Sequence, residues 1–142
     1  MSKMNSLKSM SAYSQAEKNA LAESDDPHAM IVVLFDELLR RMRSFVSNLD
    51  GDENAIKVRN ESYARSLAIL HALQGCLDFE NGGEIADNLF KLYEYSRYQL
   101  LEAFRTGDAS KVSSSIHAIN ELRTAWCEIS DERSSDLEVS VP

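Results

Sequence analysis

The stretch NLFKLYEYSRYQLLEAF, residues 88–104, has the apolar spacing of an amphipathic α-helix. On a helical wheel, most apolar side chains in and just before this stretch fall within an arc of roughly 120°, which suffices for a core face. The members of this arc are Ile85, Ala86, Leu89, Leu92, Tyr93, Ser96, Leu100, Ala103 and Phe104. The bulky residues outside it are Phe90, Leu101, Tyr95 and Tyr98. The stretch therefore predicts a core helix with more apolar surface than one core face needs.

Glycines on both sides of this stretch divide the chain into four helical segments. Gly51, the Gly82 and Gly83 pair, and Gly107 each follow an apolar-periodic segment, as helix stops do. Before the first segment, Asp26 and Pro27 are typical of a helix start, and no further proline occurs until the last residue. The predicted helices cover about residues 27–49, 53–77, 84–105 and 109–130.

Helices of about 22–26 residues joined by short loops run antiparallel to their neighbours. The sequence therefore predicts an all-α fold, an antiparallel up-down four-helix bundle formed by residues 25–130. Residues 1–24 are expected to form a flexible arm or an additional short N-terminal helix that docks through Tyr13 and Leu21. Residues 131–142 are expected to be a disordered acidic tail.

The first two predicted helices also carry apolar lines outside a core face. The first helix has an apolar arc of roughly 200°, and the residues on its outer margin are Val32, Leu39 and Val46. The second helix has a core line of Ile56, Tyr63, Leu70 and Leu77 and a side line of Val58, Ile69 and Cys76. Contiguous apolar lines need an explanation, unlike scattered exposed hydrophobes. They fit either grooves for the helices of a partner, or packing against the N-terminal arm or a second copy of the chain.

The sequence has no pattern typical of a catalytic or metal site. The three histidines, at His28, His71 and His117, lie in no HExxH or Glu-x-x-His step, and the chain has no P-loop. The two cysteines, Cys76 and Cys127, lack the CxxC spacing of a zinc site. We therefore expect that the protein is not an enzyme and uses no metal or cofactor.

Charge and hydropathy further restrict the partners and the location. The net charge of −8 argues against nucleic acid, which requires clustered Lys and Arg. The longest apolar run, residues 29–35, is too short to span a bilayer, and no signal peptide is recognisable. We expect a cytoplasmic protein with reduced thiols and no membrane insertion. Arg123 lies on the apolar side of the last helix, where either a carboxylate partner or packing of its aliphatic stem would explain it.

Three segments in order resemble one protein family. They are SAYSQAEKNALAESDDPHAMIVVLFDELLRRM from residue 11, LDFENGGEIADNLFKLYEYSRYQLLEAF from residue 77 and LRTAWCEI from residue 122. Together they resemble the flagellin-specific export chaperones of bacterial flagella, the FliS family. The shared features are an Ala-Tyr arm, a Pro-led helix, a Gly-Gly-Glu-Ile-Ala run, a Leu-Tyr-x-Tyr step and a Leu-Arg-x-x-Trp ending. The resemblance covers about residues 11–130 and departs at Phe35, where the family pattern has tyrosine.

The resemblance implies a helical bundle that holds the C-terminal segment of flagellin in the cytoplasm. It implies that the bundle prevents premature polymerisation and delivers flagellin to the flagellar type III export apparatus, with the export gate as a further partner. It also implies that the arm, including Tyr13, covers an apolar groove when no client is bound. The residues predicted to line the flagellin groove are Val32, Leu39, Val46, Val58, Ile69, Cys76, Phe90 and Leu101.

Two alternatives to the chaperone hypothesis remain open from the residues alone. In the first, the outer apolar lines form the seam of a self-associating structural bundle. In the second, the bundle carries a carboxylate-bridged metal site and is an enzyme. For the chaperone itself we expect a monomer or a weak dimer.

Overall fold

A computed structural model of the chain describes residues 26–140, with side chains as far as residue 129. Tyr13 and Leu21, the predicted docking residues of the arm, lie outside the described residues. The described backbone forms four α-helices and no strand, which confirms the predicted all-α fold. The helices are α1 Pro27–Ser47, α2 Glu53–Gly75, α3 Phe79–Thr106 and α4 Ser110–Ser140.

Aspartates cap the first two helices, as the sequence predicts. Asp26 Oδ1 accepts a hydrogen bond of 3.1 Å from the Ala29 N–H, and Asp52 Oδ1 accepts one of 2.9 Å from the Ala55 N–H. Each bond satisfies an N–H group that the first helical turn leaves without a partner. Gly107 ends α3 in the left-handed region with φ 81°, a conformation that favours glycine.

The four helices form a closed ring in which each one packs on two others. Helix α1 packs beside α2 and α4, and α3 packs beside the same two helices, whereas the backbones of the diagonal pairs lie further apart in the described chain. Trp126 Nε1 of α4 donates to the His28 carbonyl at 3.1 Å, and Arg123 Nε donates to Asp36 Oδ1 at 2.8 Å. Residue numbers along α4 therefore decrease as those along α1 increase, so the two helices are antiparallel.

The core lies between the inner faces of the ring. Its largest fully buried side chains include Phe35, Phe45, Leu38, Met42, Ile69, Leu100 and Ile119. Four serines, Ser62, Ser66, Ser96 and Ser115, are also fully buried. Small side chains at a contact let two helices approach closely, so these serines help to set the distances between the helices.

Leu39 and Ile69, two predicted groove residues, are core residues in the structure. Leu39 is only 3% exposed because it lies one turn beyond Asp36, on the side of α1 that α4 covers. Ile69 is 0% exposed because it follows Ser62 and Ser66 on the inner face of α2. The predicted core face of α2 was chosen from its large apolar residues and not from these serines. It is therefore rotated about the helix axis relative to the face that is buried.

Three residues predicted to be core are exposed. Ile56 is exposed because the core face of α2 points in a different direction from the predicted one. Phe104 is exposed because it lies near the end of α3. Ile85 is 71% exposed because it lies in the first turn after a break at Gly83. These residues contribute apolar area to the surface of the bundle and not to its interior.

Two helix ends differ from the predicted ones. Helix α3 begins at Phe79, where Asp78 accepts N–H bonds from the first turn, and the predicted glycine break lies inside it at Gly83, with φ 50°. The backbone of α4 stays helical through Ser140, so most of the predicted disordered tail is helical. No glycine or proline occurs between Gly107 and Pro142, so no residue of that segment interrupts a helix.

The burial of Ile69 predicts a large loss of stability when its side chain is shortened. Ile69→Ala should lower the free energy of unfolding by about 2–5 kcal/mol, because it removes buried methyl groups and leaves a cavity. The same substitution at exposed Ile85 should change it by less than ~0.5 kcal/mol. Urea denaturation followed by circular dichroism measures both, and equal losses would contradict the assignment of Ile69 to the core.

Candidate functional site

The exposed large apolar side chains of α3 concentrate along its edge with α2. Phe90 is 41% exposed and Leu101 48% exposed, and Phe104 follows one turn later on the same face. On α2, Ile56 and Tyr63 are spaced by seven residues, and the Tyr63 ring stacks on the Phe104 ring. We call this the α2–α3 surface, and its members are Ile56, Tyr63, Phe79, Phe90, Leu101 and Phe104.

A column of stacked side chains connects this surface to the core. The guanidinium carbon of Arg59 lies 4.8 Å from the centre of the Phe104 ring. The Phe104 and Tyr63 ring centres are 4.5 Å apart, and those of Tyr63 and buried Phe45 are 5.8 Å apart. Each aromatic pair adds about 0.5–1.5 kcal/mol beyond its buried area. The aromatic rings at this end of the surface are therefore held in place before any partner binds.

The other end of the surface is closed by the first turn of α3. The Phe79 and Phe90 rings meet edge to face, with centres 6.1 Å apart. Residues 79–82 form a helical turn that is separated from the rest of α3 by the break at Gly83. The left-handed backbone at Gly83 allows this turn to take its own direction, while Phe79 remains in contact with Phe90.

A polar bridge crosses the same edge between the two ends. Gln74 Nε2 of α2 donates to Glu94 Oε1 of α3 at 2.7 Å, and Arg97 Nη2 donates to Glu94 Oε2 at 2.8 Å. These hydrogen bonds from Gln74 and Arg97 hold the pKa of Glu94 below its ordinary value, so the bridge is charged at neutral pH. Apolar side chains next to a fixed polar group are typical of a surface that binds protein.

Burial affects the two tyrosines on the inner side of this edge. It raises the pKa of Tyr63, although the positive charge of Arg97 acts in the opposite direction. It also raises the pKa of Tyr93, a core residue that is almost fully buried, and the neighbouring Cys76 thiol adds to the effect. Both phenols are therefore neutral at physiological pH, and Tyr63 serves the surface as an apolar ring with one polar end.

The predicted groove residues do not form one continuous site. Phe90 and Leu101 are the two members that lie on the α2–α3 surface. Val58 is exposed, but it lies on the side of α2 that faces α1. It is seven residues before Arg65, which pairs with Glu37 of α1. The remaining exposed or half-buried predicted members are Cys76 at the end of α2 and Val32 and Val46 on α1.

Sequence reasoning missed several members of the surface. Ile56 and Phe104 were assigned to the core, and Phe79 was placed in the glycine break. Tyr63 was also assigned to the core, and that prediction is confirmed in part, because this half-buried ring packs against the core from the surface. The usable signal was the pair Ser62 and Ser66, because small residues spaced by four mark a close helix contact. Turning α2 so that these serines face inward brings Ile56 and Tyr63 to the outer edge.

Among the side chains that the sequence left unassigned, Tyr95 contacts α4 and Arg123 contacts α1, whereas Tyr98 is exposed. The Tyr95 hydroxyl lies 3.3 Å from Ser114 Oγ of α4, so this ring points away from the α2–α3 surface. Arg123 pairs with Asp36, the carboxylate partner that was one of its two predicted explanations. Trp126 stacks on His28, with ring centres 4.5 Å apart. The contacts of Arg123 and Trp126 close the ring between α1 and α4.

The described residues contain neither a cluster of metal-ligating side chains nor a helix that could span a membrane. Within that part of the chain, no three His, Cys, Asp or Glu side chains converge in a way that could hold a metal ion. None of the described helices is long and apolar enough to cross a membrane.

Comparison with known proteins assigns the family. The family model described as flagellar protein FliS matches residues 9–133, which include the whole α2–α3 surface. The chain belongs to the FliS family. FliS proteins are chaperones, so the expectation that this protein is not an enzyme is confirmed.

Three curated FliS relatives match most of the chain. The flagellar secretion chaperone FliS of Salmonella typhimurium is 33% identical over 127 residues, which cover 87% of this chain and 90% of the relative. FliS of Vibrio cholerae is 27% identical over 124 residues, with the same two shares. FliSB of Pseudomonas aeruginosa is 29% identical over 127 residues, 89% of this chain and 99% of the relative.

The stacked column predicts that Phe104 keeps the Tyr63 ring away from water. Phe104→Ala should lower the pKa of Tyr63 toward the ordinary value for tyrosine, because the phenolate becomes better solvated. Phe79→Ala removes an equal ring that does not contact Tyr63, and it should leave this pKa unchanged. NMR titration of ring-labelled tyrosine measures both, and an unshifted Tyr63 in the Phe104 variant would contradict the shielding.

Proposed function

We propose that this FliS-family protein is a cytoplasmic flagellar export chaperone that binds the C-terminal region of flagellin through the α2–α3 surface. In this role it keeps flagellin from polymerising prematurely and delivers it to the flagellar type III secretion apparatus, with the export gate as a further partner. One observation carries the proposal: Phe90, Leu101 and Phe104 form an exposed apolar line on α3 beside Ile56 and Tyr63 of α2. The names of the relatives support the flagellar context.

The dimensions of the surface suit a helical client segment. From Phe90 to Phe104 the line extends over 14 residues of α3, or about 21 Å at the helical rise. A client helix of about four turns could place its apolar face along this line. A client segment that orders on binding loses conformational entropy, so the chaperone has to offer a large apolar area in return.

The surface also suits a chaperone that must release its client. Ordering of the client offsets much of the gain from burying apolar area, so a long surface can give a moderate net affinity. The function requires no bond-making step and therefore no catalytic residue or cofactor.

The N-terminal arm has a regulatory role in this proposal. Residues 1–24, with Tyr13 and Leu21, would cover the apolar surface when no flagellin is bound. A tethered segment acts at high effective concentration, so a weak contact suffices to shield the surface from self-association. A client with greater buried area then displaces the arm.

A self-associating structural bundle is the alternative that the same observation favours. The exposed α2–α3 surface could be the seam between two copies of the chain. Sedimentation with and without flagellin separates the two functions. A tight dimer that persists with flagellin present favours the structural bundle, and a monomer or weak dimer that forms a complex with flagellin favours the chaperone.

A charge on the α2–α3 surface should weaken flagellin binding. Leu101→Asp should raise the Kd for monomeric flagellin at least about tenfold, because a carboxylate would be buried against the apolar face of the client. Val33→Asp introduces the same charge at an exposed position of α1 and should leave the Kd within about twofold. Calorimetric titration measures both variants, with melting temperatures as a check on folding.

The same titration tests the proposed client region. Flagellin that lacks its C-terminal helices should not bind the wild-type protein. Equal affinity for full-length and truncated flagellin would overturn the proposed function, and so would an unchanged Kd for a folded Leu101→Asp variant.

Removal of the arm should expose the α2–α3 surface. Deletion of residues 1–22 is expected to lower the Kd for flagellin or to increase self-association, because no intramolecular segment then competes for the apolar side chains. Tyr13→Ala should have a smaller effect in the same direction. Titration and sedimentation report the two effects, and the absence of both would contradict a covering arm.

A further inference from the structure

Arg59 is the positive charge at the end of the α2–α3 surface where α2 begins and α3 ends. The Arg59 residue is half-buried, and its guanidinium carbon lies over the Phe104 ring, 4.8 Å from the ring centre. The Asn60 side-chain oxygen accepts hydrogen bonds from Arg59 Nε at 3.2 Å and from Nη2 at 3.1 Å. The ring and the amide therefore fix the plane of the guanidinium.

Arg59 differs from most described arginines because it pairs with no carboxylate among the described side chains. Of the eight arginines whose side chains are described, six pair with Glu37, Glu94, Glu102 or Asp36. Arg43 and Arg59 are the two that form no ion pair within the described part of the chain. Arg43 is an exposed residue of α1, whereas Arg59 adjoins the apolar surface.

The guanidinium also keeps unused hydrogen-bonding capacity. It has five N–H donors, of which Asn60 takes two, and three remain. A partner that covered Phe104 with apolar groups alone would remove water from these donors and from the charge, which is unfavourable. A carboxylate that forms hydrogen bonds to the guanidinium avoids this cost, because arginine matches a carboxylate with two parallel bonds.

We infer that the helix held on the α2–α3 surface carries an aspartate or glutamate that pairs with Arg59. This inference rests on the proposed function, since flagellin is the partner in both. The carboxylate lies at the end of the apolar face that meets Phe104, and apolar residues follow along the roughly 21 Å toward Phe90. The charge at one end and the Phe79 turn at the other give the bound helix a single direction and register.

Neutralising Arg59 tests the pairing. Arg59→Gln should raise the Kd for full-length monomeric flagellin about tenfold, because a hydrogen-bonded charge pair is lost. Arg43→Gln removes the same charge from α1 and should change the Kd by less than about twofold. Arg59→Lys keeps the charge but not the planar fork, and its Kd should lie between the two. Melting temperatures establish that each variant is folded.

Single Asp→Asn and Glu→Gln substitutions in the C-terminal region of flagellin identify the partner carboxylate. One of them should weaken binding to the wild type about tenfold and have little further effect on Arg59→Gln, as a double-mutant cycle requires for a direct pair. The affinity of the wild type should also fall more steeply than that of Arg59→Gln between about 0.05 and about 0.5 M NaCl.

The outcomes separate this inference from the proposed function. If Leu101→Asp abolishes binding but Arg59→Gln behaves as Arg43→Gln does, the α2–α3 surface is supported as the flagellin-binding surface and the role of Arg59 is overturned. If Arg59→Gln weakens binding and no flagellin carboxylate is coupled to it, the pairing is also overturned. If neither Leu101→Asp nor Arg59→Gln affects binding, both proposals fail.

Discussion

The rotation of α2 about its own axis decides which side chains the bundle buries and which it leaves exposed. The Ser62 hydroxyl donates to Ser44 Oγ of α1 at 3.0 Å, and Ser66 is fully buried one turn later. Because these small side chains occupy the inner face, α2 lies close to α1 and Ile69 enters the core. For the same reason, Ile56 and Tyr63 lie at the outer edge of α2, beside α3. A contact between serines thus determines where the apolar surface forms.

At one end of that surface, the exposed Phe104 ring is continuous with the core through Tyr63 and Phe45. A side chain that projects alone from a helix loses rotational freedom when a partner binds it, and this loss reduces the affinity. Phe104 is held between Tyr63 and Arg59, and Tyr63 in turn contacts buried Phe45. Much of the ordering on the chaperone side is therefore complete before binding. The entropy that remains to be lost belongs mainly to the client.

The fold could be predicted from the sequence more fully than the surface. Helix starts at Asp26 and Asp52 and the stop at Gly107 depend on local capping, which a few neighbouring residues determine. The exposure of Ile56 or the burial of Leu39 depends on how neighbouring helices rotate and which side α4 covers, and these are non-local properties. Phe90 and Leu101 were correctly assigned as exposed because they lie outside the core arc of α3, although Ile85 and Phe104 of that arc are exposed as well. On α2, where serines occupy part of the core face, an assignment from apolar residues alone was wrong for Ile56 and Ile69.

The contacts that close the ring lie on the side of the bundle opposite the apolar surface. Trp126 and Arg123 join α4 to the start of α1, whereas the surface lies between α2 and α3. Residues that close the ring between α1 and α4 are thus different from residues of the α2–α3 surface. Substitutions on the α2–α3 edge can accumulate without loosening the α1–α4 closure. In evolutionary terms, such a scaffold can follow changes in its client while the bundle itself stays the same.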